Sequence, residues 1–337
     1  MSGSTPCFHA GRCHWVFGLC LLMCFIGTTV ACSSGRRATV GHASGENWRV
    51  WEVIETKTGR ILPHDEWLKN LASYDIVYLG EEHHNHYHID AAVKILNGLM
   101  AAGIRPTIGM EMFGWDGQSS LNAYLVRPDH AGSDFLEQVR WKQNWGGPFQ
   151  DYEPLVAFAY ERHLSVRAMN PPKSLIRQVV KTGLAEAREG AEWTRWGMQN
   201  EDIVDDPAYR TRILDQLRRC HGGGTDEEYR TMYEASMVRD EGMAKTLAAM
   251  FEEPHFETDS ARRMILSYTG GGHIQYNLPV PKRVARRLSD KVSQATIYLA
   301  SFDHTRTEEI RELIRDGIAD YIWLTPVSQQ GAPQRCR

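Results

Sequence analysis

From residue 47 onward, short apolar runs alternate with stretches of helical periodicity. Strand candidates are Asp75–Gly80, Thr107–Met112, Ser165–Met169, Met264–Tyr268, Ala295–Ala300 and Tyr321–Leu324. Helical patterns lie near 87–102 and 151–163. Buried runs of four to six apolar residues, alternating with helices, predict a mostly parallel sheet. Between the third and fourth strands, from about 173 to 252, only helical periodicity is present. The expected class is therefore α/β: a mostly parallel sheet flanked by helices, with a smaller helical subdomain inserted. The α/β domain spans 47–325, and 326–337 is a loose polar tail.

The first residues follow other rules. The uninterrupted run Trp15–Ala31 ends in Thr29-Val30-Ala31-Cys32, an apolar core closed by small residues. This reads as an export signal over 1–32, with Cys32 resembling the lipobox cysteine that becomes a diacylated N-terminus. An uncleaved anchor is the alternative reading. Residues 33–46, rich in Ser, Gly, Arg and Ala, form a flexible tether. Ser33 after Cys32 is compatible with outer-membrane sorting. The expected location is an outer-membrane lipoprotein facing the periplasm, alternatively one anchored in the inner membrane. Cys220 and Cys336 are then the remaining thiols, and whether they pair is open.

The net charge of −4 comes without a basic block, which argues against a nucleic-acid surface. Ten tryptophans offer aromatic surface for packing or for a flat ligand. Of these, Trp141 and Trp145 cluster in WKQNWGGPF and read as a packed loop or a pocket wall.

Polar chemistry collects where the strands end, and in open parallel sheets ligands bind outside the carboxyl ends. The first strand runs into Gly80-Glu81-Glu82-His83, the second carries Glu111 in an apolar run, the third ends at Asn170, and the fourth ends in Gly270-Gly271-Gly272-His273. The glycines are expected to allow backbone conformations closed to other residues and close passage to a ligand. Glu111 among apolar neighbours needs a charged or hydrogen-bonding partner. Asp240 interrupts the apolar stripe Tyr233, Met237, Ala244, Leu247 and Phe251, which suits either a structural buried carboxylate or a functional one. His84 and His88, or His83 and His86, share a face if the segment is helical, though this is not the HExxH zinc motif. Most of these imidazoles are expected on an exposed first turn, with His83 turned to the crevice.

Two Gly-x-x-His motifs (80–83 and 270–273) with Glu111 between them resemble the signature of the Tiki superfamily. The segments YLGEEHHNHYHI, FQDYEPLVAFAYERHLSVRAMNPP, MVRDEGMAKTL and GGGHIQYNLPVPKRV resemble its ChaN-like haem-binding lipoproteins. The resemblance covers roughly 48–325. It implies a parallel sheet with a smaller helical domain. It also implies haem binding in iron uptake, with histidine and tyrosine ligands at a homodimer contact and an outer-membrane haem receptor as partner. Motif matching assigns His83, Glu111, Asp240 and His273; Tyr276 and Tyr268 are the candidate tyrosine ligands.

Two readings stay open. One is a haem-binding protein without turnover, with His273, Tyr276, His83 and Tyr268 as candidate ligands. The other is a peptide or ester hydrolase. It would use Glu81 or Glu82, His83, Glu111, Asp240 and His273, either as acid and base or around a divalent metal held by His83, Glu111 and His273.

Overall fold

Apolar runs flanked by turns become central strands here because both faces of the sheet are covered. The computed structural model describes residues 47–127, 134–220, 222–254, 262–329 and 331. The expected signal over 1–32 with its candidate lipidation site Cys32, the expected tether over 33–46, Cys336 and most of the polar tail lie outside them. Cys220 is disulfide-bonded, and its partner cysteine lies outside the described residues.

The strands are β1 (Val53–Glu55), β2 (Arg60–Leu62), β3 (Ile76–Glu81), β4 (Ile104–Gly114), β5 (Val166–Asn170), β6 (Arg262–Gly270), β7 (Gln294–Phe302) and β8 (Tyr321–Pro326). They form one sheet in the order β2-β1-β8-β7-β3-β6-β4-β5. The six strands from β8 to β5 run parallel, as their apolar runs predict. The β1–β2 hairpin adds an antiparallel edge that the apolar pattern does not announce, because each strand is only three residues long. At the opposite edge, the Gln118 side chain occupies β5: its amide donates to the Val166 carbonyl at 3.0 Å and its oxygen accepts from the Ala168 N–H at 2.7 Å.

The principal helices are α1 (His64–Leu71), α2 (His86–Ala101), α3 (Gln118–Val126), α4 (Glu153–Glu161), α5 (Lys173–Arg188), α6 (Pro207–Cys220), α7 (Asp226–Glu252), α8 (Val280–Arg287) and α9 (Thr307–Asp316). Side chains alternate across the sheet. On one face Val77, Leu79, Met110, Leu266 and Tyr268 pack with α2 and α4. On the other Ile76, Tyr78, Met169 and Ile265 pack with α7, α8 and α9. Residues 173–252 are helical, apart from connecting turns, and carry their own core of Leu175, Val179, Trp193, Tyr209 and Met237.

Two local devices aim the site. Helix α7 starts in a capping box, in which Thr225 Oγ1 accepts from the Glu228 N–H and Glu228 accepts from the Thr225 N–H. Its length then carries Asp240 to the carboxyl edge of the sheet. Helix α2 starts at His86, capped by Asn85 through the Tyr87 N–H. His83 and His84 therefore precede the helix, and the expected His84/His88 and His83/His86 helical faces do not form.

Candidate functional site

Two hydrogen-bond networks arise on opposite faces of the sheet and emerge at one carboxyl edge. The first belongs to β3. Glu81, almost fully buried, lies with Oε1 2.7 Å from His83 Nδ1. The same oxygen accepts from the Tyr152 hydroxyl at 2.9 Å, and Oε2 accepts from the Tyr268 hydroxyl at 2.6 Å. Tyr268 is therefore a buried support for Glu81, with its hydroxyl already engaged. Burial first, and the Glu81 charge second, push the phenols of Tyr152 and Tyr268 up. The His83 side chain is 41% exposed and meets Trp145 edge to face, with centroids 4.8 Å apart. Burial works against charge on His83, but the hydrogen bond and charge of Glu81 outweigh it and raise its pKa.

The second network belongs to β4 and β6. Glu111 Oε2 accepts from Thr269 Oγ1 at 2.6 Å and from the Gly270 N–H at 2.7 Å. Its Oε1 lies 3.2 Å from His273 Nε2, while His273 Nδ1 lies 2.5 Å from Asp240 Oδ1. Asp240 Oδ2 accepts from the hydroxyl of Tyr209 on α6. Burial opposes charging of His273, but the two carboxylates override it and hold its pKa at about 10. Burial likewise opposes ionisation of Glu111; the His273 charge overrides it and keeps the carboxyl far below its ordinary range. Tyr209 and Thr269 were not visible as site residues in the sequence, since nothing in their spacing marks them.

Gly80, Gly270 and Gly271 serve by leaving space, and no glycine of the two motifs adopts a positive φ. That corrects the expectation of unusual backbone conformations. A Cβ on Gly80 would stand 2.5 Å from Ile274 Cδ1, and one on Gly270 would stand 2.7 Å from His83 Cε1 and 3.5 Å from Glu111 Oε2. Gly270 is thus where the two networks meet.

Other expected residues take different places. His88 is fully buried, which corrects its expected exposure. Its Nδ1 accepts from the Glu82 N–H at 3.0 Å and its Nε2 lies 2.9 Å from Thr325 Oγ1. Burial foremost pushes its pKa down to about 3, so it is a neutral tie between the first motif and β8. Glu82 turns to β7, accepting from Ser301 and facing Arg306 at 3.6 Å, away from His83. Trp141 packs in the core against Phe113 and Phe149. Tyr276 has φ of 59° and lies beneath the Arg212 guanidinium, 3.4 Å from its ring centroid; among the described residues it bonds to no member of either network.

A metal held jointly by His83, Glu111 and His273 does not fit this arrangement. Both His273 nitrogens face carboxylates, both Glu111 oxygens accept hydrogen bonds or face His273, and among the described residues no three His, Cys, Asp or Glu side chains converge as a ligand set. His83 fits a haem iron better. Its Nδ1 is tied to a carboxylate, as in most metal-bound histidines, and Nε2 is the remaining ring nitrogen of a half-exposed ring.

Fold and site together define an α/β protein with a carboxyl-edge site built from two Gly-x-x-His turns and a buried glutamate. The sequence matches the family of haem-binding uptake proteins of the Tiki superfamily, ChaN, over residues 67–284, and the chain belongs to that family. The solved structure of cofacial haem binding to ChaN of Campylobacter jejuni is similar in fold, with a TM-score of 0.59 and 16% identity, covering 80% of this chain and 95% of that one. An erythromycin esterase variant in its open conformation matches at a TM-score of 0.39 and 16% identity, covering 71% and 74% of the two chains. No curated protein sequence gives a significant match. Among the described residues no helix is long and apolar enough to cross a membrane.

Proposed function

We propose that this protein binds haem at the carboxyl edge of the sheet and takes part in haem or iron uptake, with His83 as the iron ligand. The observation that carries the reading is the His83 imidazole. It is half-exposed, oriented by buried Glu81, and flanked by Trp145 and the bare face of Gly270. Two tyrosine hydroxyls on Glu81 fix the carboxylate, and the carboxylate fixes the ring. Bound haem would supply the iron chemistry; these side chains would orient the ring and wall the site.

The ChaN structure from Campylobacter jejuni binds haem cofacially, and a paired arrangement here would bring two copies of this chain together. The lipid on Cys32 would hold the domain at the outer membrane, where an outer-membrane haem receptor is the partner. Titrating haem into the protein tests the reading: a saturable Soret shift that disappears in His83→Ala supports it, and an unshifted spectrum for wild type refutes it. Fractionation of a Cys32→Ser variant tests the anchor.

The chain Glu111–His273–Asp240–Tyr209 favours hydrolysis as a second reading, because buried charge pairs of this kind also organise acid–base sites. In that reading His83, oriented by Glu81, is the exposed acid or base, and Glu111 with His273 the buried charge pair on the other face of the sheet. Absence of turnover across peptide and ester panels would end it.

A further inference from the structure

Helix α5 carries positive charge along one side. Lys173, Arg177 and Lys181 recur at every fourth residue, which stacks them on one face. Like charges at that spacing destabilise a helix unless a counter-charge answers them. Among the described residues, none of the three side chains has an ion pair or hydrogen bond.

Helix α7 adds a further cation at the start of this face. The two helices run antiparallel: Glu234 accepts from the Leu184 N–H at 2.7 Å, and thirteen residues earlier Pro171 packs on Gly242. Arg239, one turn before Gly242, is thereby level with the first turns of α5. Burial foremost, then the charges of Arg177 and Arg239, hold the Lys173 ammonium below its ordinary pKa. Arg239 makes no ion pair or hydrogen bond among the described residues, and its Nε is enclosed without a partner. A charged donor removed from water and left unpaired is unfavourable. Elsewhere on α7 the cations are answered, Arg230 by Glu227 and Glu234 and Lys245 by Glu201. The missing carboxylate is local to this point.

The cluster borders the site at the carboxyl edge. Asn144 Oδ1 accepts from the Lys173 N–H at 3.2 Å, and the next residue, Trp145, meets His83. Arg239 directly precedes Asp240, which holds His273. Helix α5 opens here with no acidic residue in its first turn and no side-chain cap, so its N-terminal N–H groups add positive potential. Glu192, which accepts from Ser174 in that turn, is already shared with Trp196 and Arg195. Arg177 is exposed, and Lys173 and Arg239 are partly so; solvent reaches all three residues.

We infer that Lys173, Arg177 and Arg239 form a site for an ionised carboxylate arm of the ligand held at His83. Haem carries such arms as its propionates, and this inference rests on the haem reading above. A guanidinium offers a carboxylate two parallel N–H donors, and such charge-assisted bonds are stronger than those to a neutral ester oxygen. The same chemistry suits free phosphate, which the test separates.

Soret titration of the full chain compares haem with its dimethyl ester. Wild type should bind the free acid about tenfold more tightly, the discrimination expected of one charge-assisted hydrogen bond. The double variant Lys173→Gln/Arg239→Gln should erase that preference and leave ester affinity unchanged. Lys181→Gln, two turns from the edge, should keep it. A double variant that keeps the wild-type preference would overturn the inference. So would a wild type that binds acid and ester equally through His83, and in that case the haem reading survives alone. Equal binding of acid and ester, with inorganic phosphate raising the melting temperature of wild type but not of the double variant, would make this a free-anion site instead. Because nothing answers its charge, Arg239→Gln should melt no lower than wild type; a clearly lower melting temperature would make the guanidinium structural and overturn the inference. Failure of wild type to bind either compound overturns both readings.

Discussion

His83 rests against the α-carbon of Gly270, so closely that a Cβ there would stand 2.7 Å from its Cε1. Gly270 has an ordinary φ of −59°, so the restriction is steric. Gly270→Ala should displace the imidazole, lower haem affinity at least tenfold and destabilise the fold by about 1–3 kcal/mol, as overpacking does. Spectral titration with denaturant unfolding checks both, and a variant binding haem as wild type would refute the close-approach argument.

Glu111 is the anionic partner of His273 inside the sheet face. Glu111→Gln leaves the His273 charge with Asp240 alone. The loss should be about 3–5 kcal/mol, typical of breaking a buried ion pair from one side. Urea unfolding measures it. A loss below about 1 kcal/mol would mean that the pair is solvated, as exposed pairs are.

Stability should depend on pH through the same pair. The folded pKa of His273, about 10, lies above its ordinary 6.5, so its contribution is complete below pH 6.5 and fades as pH rises through about 10. Glu111 has a depressed pKa, so its contribution is present above its ordinary 4.5 and fades as pH falls below that. Melting temperatures should therefore plateau between these values and decline toward alkaline pH. In His273→Asn the alkaline decline should shrink, and an unchanged alkaline limb would exclude His273 as its source.

Tyr268 and His83 should separate cleanly. Tyr268→Phe removes one hydrogen bond from buried Glu81, which should destabilise by about 1–3 kcal/mol and leave the haem spectrum intact. A lost Soret shift in Tyr268→Phe, with retention in His83→Ala, would reverse the two roles.

The six parallel strands were legible because a strand covered on both faces must be apolar almost throughout, as IVYLGE in β3 is. The hairpin was not, since three-residue edge strands carry no usable period. Glu111 and Asp240 stood out because each put a charge where its neighbours were buried. Their joint partner, His273, could be named from its motif, but the pairing of both ring nitrogens needed the crossing of β6 with α7. Tyr209 and Thr269 look like ordinary residues until the fold brings their hydroxyls to a carboxylate. His88 misled for a local reason: the helix starts at His86, which turns position 88 inward. Within the GEEHHNHYH run, polarity reported neither exposure nor ligation.

Gln118 has a consequence beyond its own helix. With one side-chain amide it answers both a carbonyl and an N–H of β5, as the backbone of a further strand would. An extended segment arriving from another molecule meets a border whose sites at Val166 and Ala168 are already taken. At those two positions the edge of the sheet is closed to pairing with another chain by a side chain that imitates a strand, a safeguard against edge-to-edge growth.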